Sequence, residues 1–264
     1  MPKAKQTLEF SSKAWFSVLV AGQWLFVLYI VGFYGLSAMS LDFAAWNEVL
    51  PTGIQSADII GNIYIALHLL LAAAITLTGP LQLISAVRTR APIFHRWSGE
   101  LYVDMAVIMS VTGIYIVAVR GVPGGTMLAV STTLNAVLIT VFAFMTISRA
   151  RRRQFGAHQE WAMRLFLAVS GVWFFRVAFM AYVFLSGGAT PGSNRDLTGP
   201  VDVAMAFGQY LVPLALYEVY RLTKREGSAI SQYMFSLSLI LLTIIMLIGI
   251  VMAAQFMWLP RLLP

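Results

Sequence analysis

The sequence predicts an all-α protein: a polytopic membrane protein built as a seven-helix transmembrane bundle, N-terminus cytoplasmic and C-terminus outside. Three observations predict it. Hydrophobic residues make up 59% of the chain and charged residues only 11%, with a mean hydropathy of +0.79. That is more apolar surface than one soluble core of this length buries. Charge-poor runs approaching the ~20 residues that cross a bilayer recur seven times. Basic residues gather in alternate connections between those runs.

The runs justify themselves in order. The first, 14–39, follows the segment MPKAKQTLEFSSKAW; it is too long for a signal peptide and lacks a small-residue cleavage site, so it reads as a retained span. The second, 59–86, carries His68 on a stripe of Gly61, Tyr64, Ala72, Gly79 and Gln82 at helical spacing, a small and polar face expected to pack inside the bundle. Pro80 is expected to bend it. The third, 97–119, places Glu100 and Asp104 four residues apart on one face. The fourth, 126–147, contains Asn135, and the fifth, 161–185, contains Arg164 and Arg176. The sixth, 201–220, begins at Asp202 and holds Pro213 and Glu218. The seventh, 233–257, has no ionisable residue and is expected to face lipid over most of its surface. No long polar insert separates the runs, which predicts one transmembrane domain over 1–264 with two modest outer loops at 40–58 and 186–200.

Charge gives the orientation. Lys3, Lys5 and Lys13, then Arg88, Arg90 and Arg96, then Arg149 and Arg151 to Arg153, then Arg221, Lys224 and Arg225 fall on one side of a chain that crosses seven times. The positive-inside rule makes that side cytoplasmic. The net charge of +7 therefore speaks for a lipid bilayer as partner and not for nucleic acid. There are no cysteines, which excludes disulfides, thiolate metal sites and iron–sulfur clusters. The last run has no lysine for a retinal Schiff base, and no phosphate-binding loop, HExxH, GxSxG or dinucleotide fingerprint occurs.

Ionisable side chains inside hydrocarbon are expensive and mark candidate sites. At ~1.5 Å per residue they sort into two layers. The cytoplasmic layer holds Gln82, Arg88, His95, Arg96, Glu100, Asp104, His158, Arg164 and Glu218. A thinner layer, ~13 Å from the outer ends, holds His68, Asn135 and Arg176, with Asp202 as the expected acidic partner of Arg176. Glu100 with Arg164 is an expected ion pair, and Trp97 and Trp161 are expected interface anchors. His95 and His158 begin two spans at matching depth, each five residues after an arginine and shortly before a tryptophan. Two imidazoles facing each other across a bundle ligate the iron of a b-type haem or another metal, with arginines such as Arg88 and Arg96 pairing its propionates.

The segments IALHLLLAA, GPLQLISAVRTRAPIFHRWSGELYV and HQEWAMRLFLA resemble the bacterial predicted membrane proteins grouped as domain of unknown function 2306. The resemblance covers roughly 60–220, leaving 14–39 and 233–257 as extra spans. Its most specific pieces are Gly79-Pro80 with Gln82, His95-Arg96-Trp97 with Gly99 and Tyr102, and His158 with Trp161, Met163 and Arg164. It implies a multi-span inner-membrane protein and brings no established activity or cofactor; where the family has a basic residue after the second loop histidine, this chain has Gln159. HRWSG at a span start is more faintly similar to b-type cytochrome membrane domains.

Two functions follow from these readings. In the first, His95 and His158 hold haem or a metal for electron transfer to a redox partner, with Arg88, Arg96 and Glu100 around them. In the second, the protein is a small transporter, channel or lipid-binding protein whose small-molecule substrate meets a buried polar layer around His68, Asn135 and Arg176, with Asp104 and Glu218 also lining the path and helices bent at Pro80 and Pro213 opening it.

Overall fold

The computed structural model describes residues 3–50 and 53–262; Pro51 and Thr52 of the expected loop 40–58, and two residues at each terminus, lie outside that description. Among the described residues the regular structure is helical throughout. Helix α1 (Lys3–Tyr29) continues through a π-helical segment (Ile30–Gly35) into the short α2 (Leu36–Met39). A 3-10 turn, Phe43–Glu48, follows, capped by the Asp42 carboxylate, which accepts from Ala45 N. Helix α3 (Ile59–Leu83) is capped by Asp58, which accepts from Gly61 N at 2.8 Å. The short α4 (Ser85–Arg90) leads into α5 (Pro92–Arg120), with proline at its first position where no amide hydrogen is needed. Then come α6 (Gly125–Arg151), α7 (Phe155–Val169), α8 (Gly171–Leu185) and α9 (Pro200–Glu226). Helix α10 (Ala229–Ala253) passes through a second π-helical segment (Ala254–Trp258) into α11 (Leu259–Leu262).

Five of these helical stretches are long and apolar enough to cross a membrane, six if α7 and α8 count as one. Each of the seven expected runs falls on helical structure; α9 is the least apolar of the long helices, interrupted by Asp202, Gln209 and Pro213 before Glu218, Arg221, Lys224, Arg225 and Glu226 close it. Successive long helices run up and down. At the end rich in arginine, called here the basic end, His158 meets Thr146 O, and Leu8 packs with Phe235. At the far end Arg120 clasps Asp58 at 2.8 Å.

One expectation is corrected. The fifth run is not one helix: α7 and α8 meet at Ser170 with a 54° bend. Ser170 Oγ donates to Phe166 O at 2.8 Å, competing within the helix ladder, and a glycine follows. A Cβ on Gly171 would sit 3.2 Å from Asn135 Nδ2, so the absence of a side chain lets α6 approach the break. The last run leaves more of its surface exposed than buried, with Met234, Leu237, Leu241, Ile244 and Leu247 facing outward, while a narrower stripe packs inward. Helix α10 packs between α1 and α8, burying Phe235, Ser236, Leu239, Met246, Gly249, Ile250 and Ala253. At Gly249 the approach is backbone to backbone, since a Cβ there would collide with Val177 O. Small residues, with no hydrophobic drive between helices in lipid, make such a face a packing face.

Candidate functional site

A cleft of about 750 Å³ lies between α9 on one side and α1, α8 and α10 on the other. Its α9 wall runs from Pro200 and Val201 at the far end to Tyr217 and Tyr220 at the basic end. At ~1.5 Å per residue this is about 30 Å, the thickness of a bilayer's hydrocarbon core. The opposite wall is Trp15, Phe174, Phe175, Leu239 and Met246. Polar side chains on the lining are few: Gln209 at mid-height, and Ser12, Tyr217 and Tyr220 at the basic end. Beside that end the Arg164 and Arg221 guanidiniums lie over the Tyr217 ring at 5.8 and 5.9 Å, and Lys224 Nζ lies 5.6 Å over Tyr220. The cleft is long, apolar along its length and polar at its basic mouth.

The α7/α8 break stands behind this wall, hydrogen-bonded by amides from two other helices and approached by a third. Gln23 of α1 donates Nε2 to Ser170 Oγ at 2.9 Å. Asn135 of α6 donates Nδ2 to Ala168 O at 3.1 Å, taking one of the carbonyls that a helix end leaves unpaired. Gln209 of α9 donates to Ala206 O at 2.8 Å and reaches the space over Gly171. Irregular backbone at membrane depth is tolerated where protein or a cavity satisfies it, and here side chains of α1 and α6 do. Gln23, Gln209 and the Ser170-Gly171 pair were passed over by a search for ionisable groups. The signal was present as a Ser-Gly pair and two lone glutamines inside apolar runs.

The expected polar layer around His68, Asn135 and Arg176 is not assembled as one cluster. His68 Nδ1 lies 3.3 Å from Thr112 Oγ1, which itself donates to Met109 O, so the imidazole ties α3 to α5. Asn135 serves the break. Arg176 donates Nη1 to Val172 O at 3.2 Å and lies 5.4 Å over the Phe26 ring. Its expected partner Asp202 is fully buried elsewhere, accepting from Ser193 Oγ at 2.6 Å, Asn194 N at 3.2 Å and Gly199 N at 3.0 Å. Equal depth does not make two side chains neighbours.

At the basic end the expected Glu100–Arg164 pair gives way to two others. Glu100 pairs with Arg96 at 3.3 Å on the surface, and Arg164 pairs with Glu218 at 2.7 Å. Arg221 bridges Glu218 and Glu160, and Arg164 also stacks on Trp161 at 4.6 Å. Trp97 is exposed, as an interface anchor would be. Gln82 donates Nε2 to Ser98 Oγ at 2.8 Å, tying α3 to α5, and Asp104 is exposed on α5.

The two loop histidines do come near each other. His158 and Arg88 both lie within electrostatic reach of His95. His158 Nδ1 is 3.0 Å from Thr146 O; a carbonyl only accepts, so Nδ1 carries the hydrogen and Nε2 of the neutral ring keeps its lone pair. His95 Nδ1 is buried without a hydrogen-bond partner. Among the described residues, no group of three or more histidine, aspartate or glutamate side chains is placed to hold a metal ion.

A family model described as predicted membrane protein (DUF2306) matches residues 65–198, just over half of the chain. No curated protein and no solved structure matches the sequence.

Proposed function

The chain belongs to the DUF2306 family of predicted membrane proteins, and from that premise we propose that it binds a long-chain, lipid-soluble amphiphile within the bilayer. The cleft between α9 and the α1–α8–α10 face carries this reading. Spread over ~30 Å of helix, 750 Å³ leaves a cross-section of about 25 Å², that of a narrow channel for a single chain. An apolar tail gains ~0.8 kcal/mol for each methylene removed from water but little on leaving lipid; selectivity therefore falls to shape and to the mouth formed by Tyr217, Tyr220 and Lys224. Helix α9 is then the seventh membrane element, the N-terminus is cytoplasmic and the mouth opens at the cytoplasmic leaflet of a bacterial inner membrane. The chain acts as one domain over 1–264, and the amides Gln23, Asn135 and Gln209 hold its bent wall open.

A test uses Trp15, which lines the cleft. A brominated fatty alcohol added to detergent-purified protein is expected to quench tryptophan fluorescence saturably. Most of that quenching disappears in Trp15→Phe, and saturation disappears in Gly208→Phe, which fills the cleft. Linear quenching unchanged in both variants would sink the proposal.

One observation favours a second reading, a haem or metal centre for electron transfer at His95 and His158. A ligating histidine normally donates its other nitrogen to a carbonyl, as His158 does to Thr146 O, and His95 Nδ1 has no protein partner. Arg88 lies within electrostatic reach of His95, as a propionate partner would. Arg96 is turned to Glu100 on the surface. This reading expects a reduced b-type absorption band, or metal by elemental analysis, lost equally in His95→Ala and His158→Ala. Colourless, metal-free protein from haem-replete cells contradicts it.

A further inference from the structure

We propose that the aromatic nest at the far end of the bundle is a carboxylate-binding site organised by Arg176 and Arg261. It stands apart from the cleft and does not depend on it. Four observations carry it. Arg176 has no acidic partner among the described residues: it donates one bond to its own helix, Val172 O, and lies over Phe26. Arg261 likewise donates only to a carbonyl of its own turn, Met257 O. The two cations share one neighbourhood, because each lies within electrostatic reach of both Tyr29 and Tyr34. No ion pair among the described residues reaches either guanidinium.

The indole N–H groups of Trp46 and Trp258, 4% and 1% exposed, are buried there without partners. Their rings pack on the same tyrosines, Trp258 at 6.4 Å from Tyr29 and Trp46 at 5.7 Å from Tyr34. The nest therefore holds two fixed positive charges and two unpaired donors, with the two phenol hydroxyls as its amphoteric members. Among the described residues, no acidic side chain charge-matches that set. Asp42 caps the neighbouring 3-10 turn through Ala45 N, and Asp202 is saturated in its own loop.

Both π-helical segments of the fold, Ile30–Gly35 and Ala254–Trp258, form walls of this nest, and they set Tyr34 and Trp258 in it. Such wide turns recur at functional sites because they re-aim side chains that a regular helix would carry past. Arg176 and Arg261 are half-buried, and an arginine at membrane depth is stabilised by an acid or by an anionic ligand; the planar guanidinium favours a two-oxygen face. Aromatic walls favour an apolar body behind that face. The ligand class is a monocarboxylate with an apolar body, whether a free acid from the aqueous side or a fatty acid from the bilayer.

The experiment titrates the full chain in non-ionic detergent with sodium benzoate or with palmitate, reading thermal unfolding and tryptophan emission. Sodium chloride, benzyl alcohol and methyl palmitate serve as controls at matched concentration. At least one carboxylate is expected to raise the melting temperature and shift emission saturably, where its neutral counterpart and chloride do not. Response to benzoate alone identifies a soluble acid, and response to palmitate alone identifies a bilayer acid. Arg176→Gln is expected to weaken the response at least tenfold, with Arg176→Lys between it and wild type. Should Arg176→Gln not fold, Arg261→Gln and Trp46→Phe provide the same comparison from the other walls. No saturable response to either acid beyond that of chloride overturns the proposal, and so does a response that survives in every variant that folds.

Discussion

Asp202 shows how much one side chain settles. Its two oxygens close the loop before α9 by accepting from Ser193, Asn194 and Gly199. Asp202→Ala leaves those donors unpaired in a buried site, where each costs about 1–3 kcal/mol; we expect a loss of about 3 kcal/mol, read by thermal unfolding in detergent. Asp58 behaves differently because it is open to water. The Gly61 amide first, and then the Arg120 side chain, hold its carboxyl below the ordinary aspartate value of 3.8. Its contribution to stability is therefore full above pH 3.8 and lost as pH falls through the lower folded value. The difference in melting temperature between wild type and Asp58→Asn should be flat from neutral pH down to about 5 and shrink only below about 4. A gap that closes already near pH 6 would contradict this. At this scale the sequence allowed residue types and depths to be read but not partners. Arg176 and Asp202 are both in the upper half of the bundle, yet depth is one coordinate of three and the other two come from packing.

The break between α7 and α8 is the element on which the account depends most. Ser170 both bends its own helix, through Phe166 O, and receives Gln23 from α1. Ser170→Ala removes the acceptor of a glutamine only 2% exposed, which we expect to cost about 1–3 kcal/mol. Gly171→Leu has the larger effect: its side chain would displace Asn135 and Gln209 from the break, uncovering the carbonyl end of α7. Thermal unfolding should rank the two in that order, and the reverse ranking would show that the amides do not hold the bend. The hydrophobic run over 161–185 was legible as a membrane segment, but not the bend inside it, since apolar periodicity continues unbroken across Ser170. The π-helical segments were equally hidden, because IVGFYG and AQFMW differ from ordinary helix only in what packs against them.

For the whole molecule, the all-helical class followed from composition alone, since 59% hydrophobic residues leave few other ways to satisfy the backbone in lipid. Family membership was legible too, because the histidine and arginine pieces around 95–103 and 158–164 fall inside the matched 65–198. The cleft was not. It arises from how α9 stands off α1, α8 and α10, and its lining of Phe, Leu, Met and Val reads in sequence like any lipid-facing surface. The absence of cysteine from the chain makes topology directly testable. A membrane-impermeant maleimide should label Gly187→Cys in intact spheroplasts and Lys224→Cys only after permeabilisation; the opposite pattern would invert the proposed orientation.

The most direct measurement is native mass spectrometry of the protein released from detergent micelles, with lipid extraction of the same sample. Wild-type protein is expected to retain one long-chain amphiphile per chain, absent from Gly208→Phe, whose added ring occupies the cleft, while that variant still unfolds cooperatively. Protein that carries nothing beyond non-specific detergent and lipid adducts, or a Gly208→Phe variant that retains the same molecule in the same amount, would contradict the proposed binding.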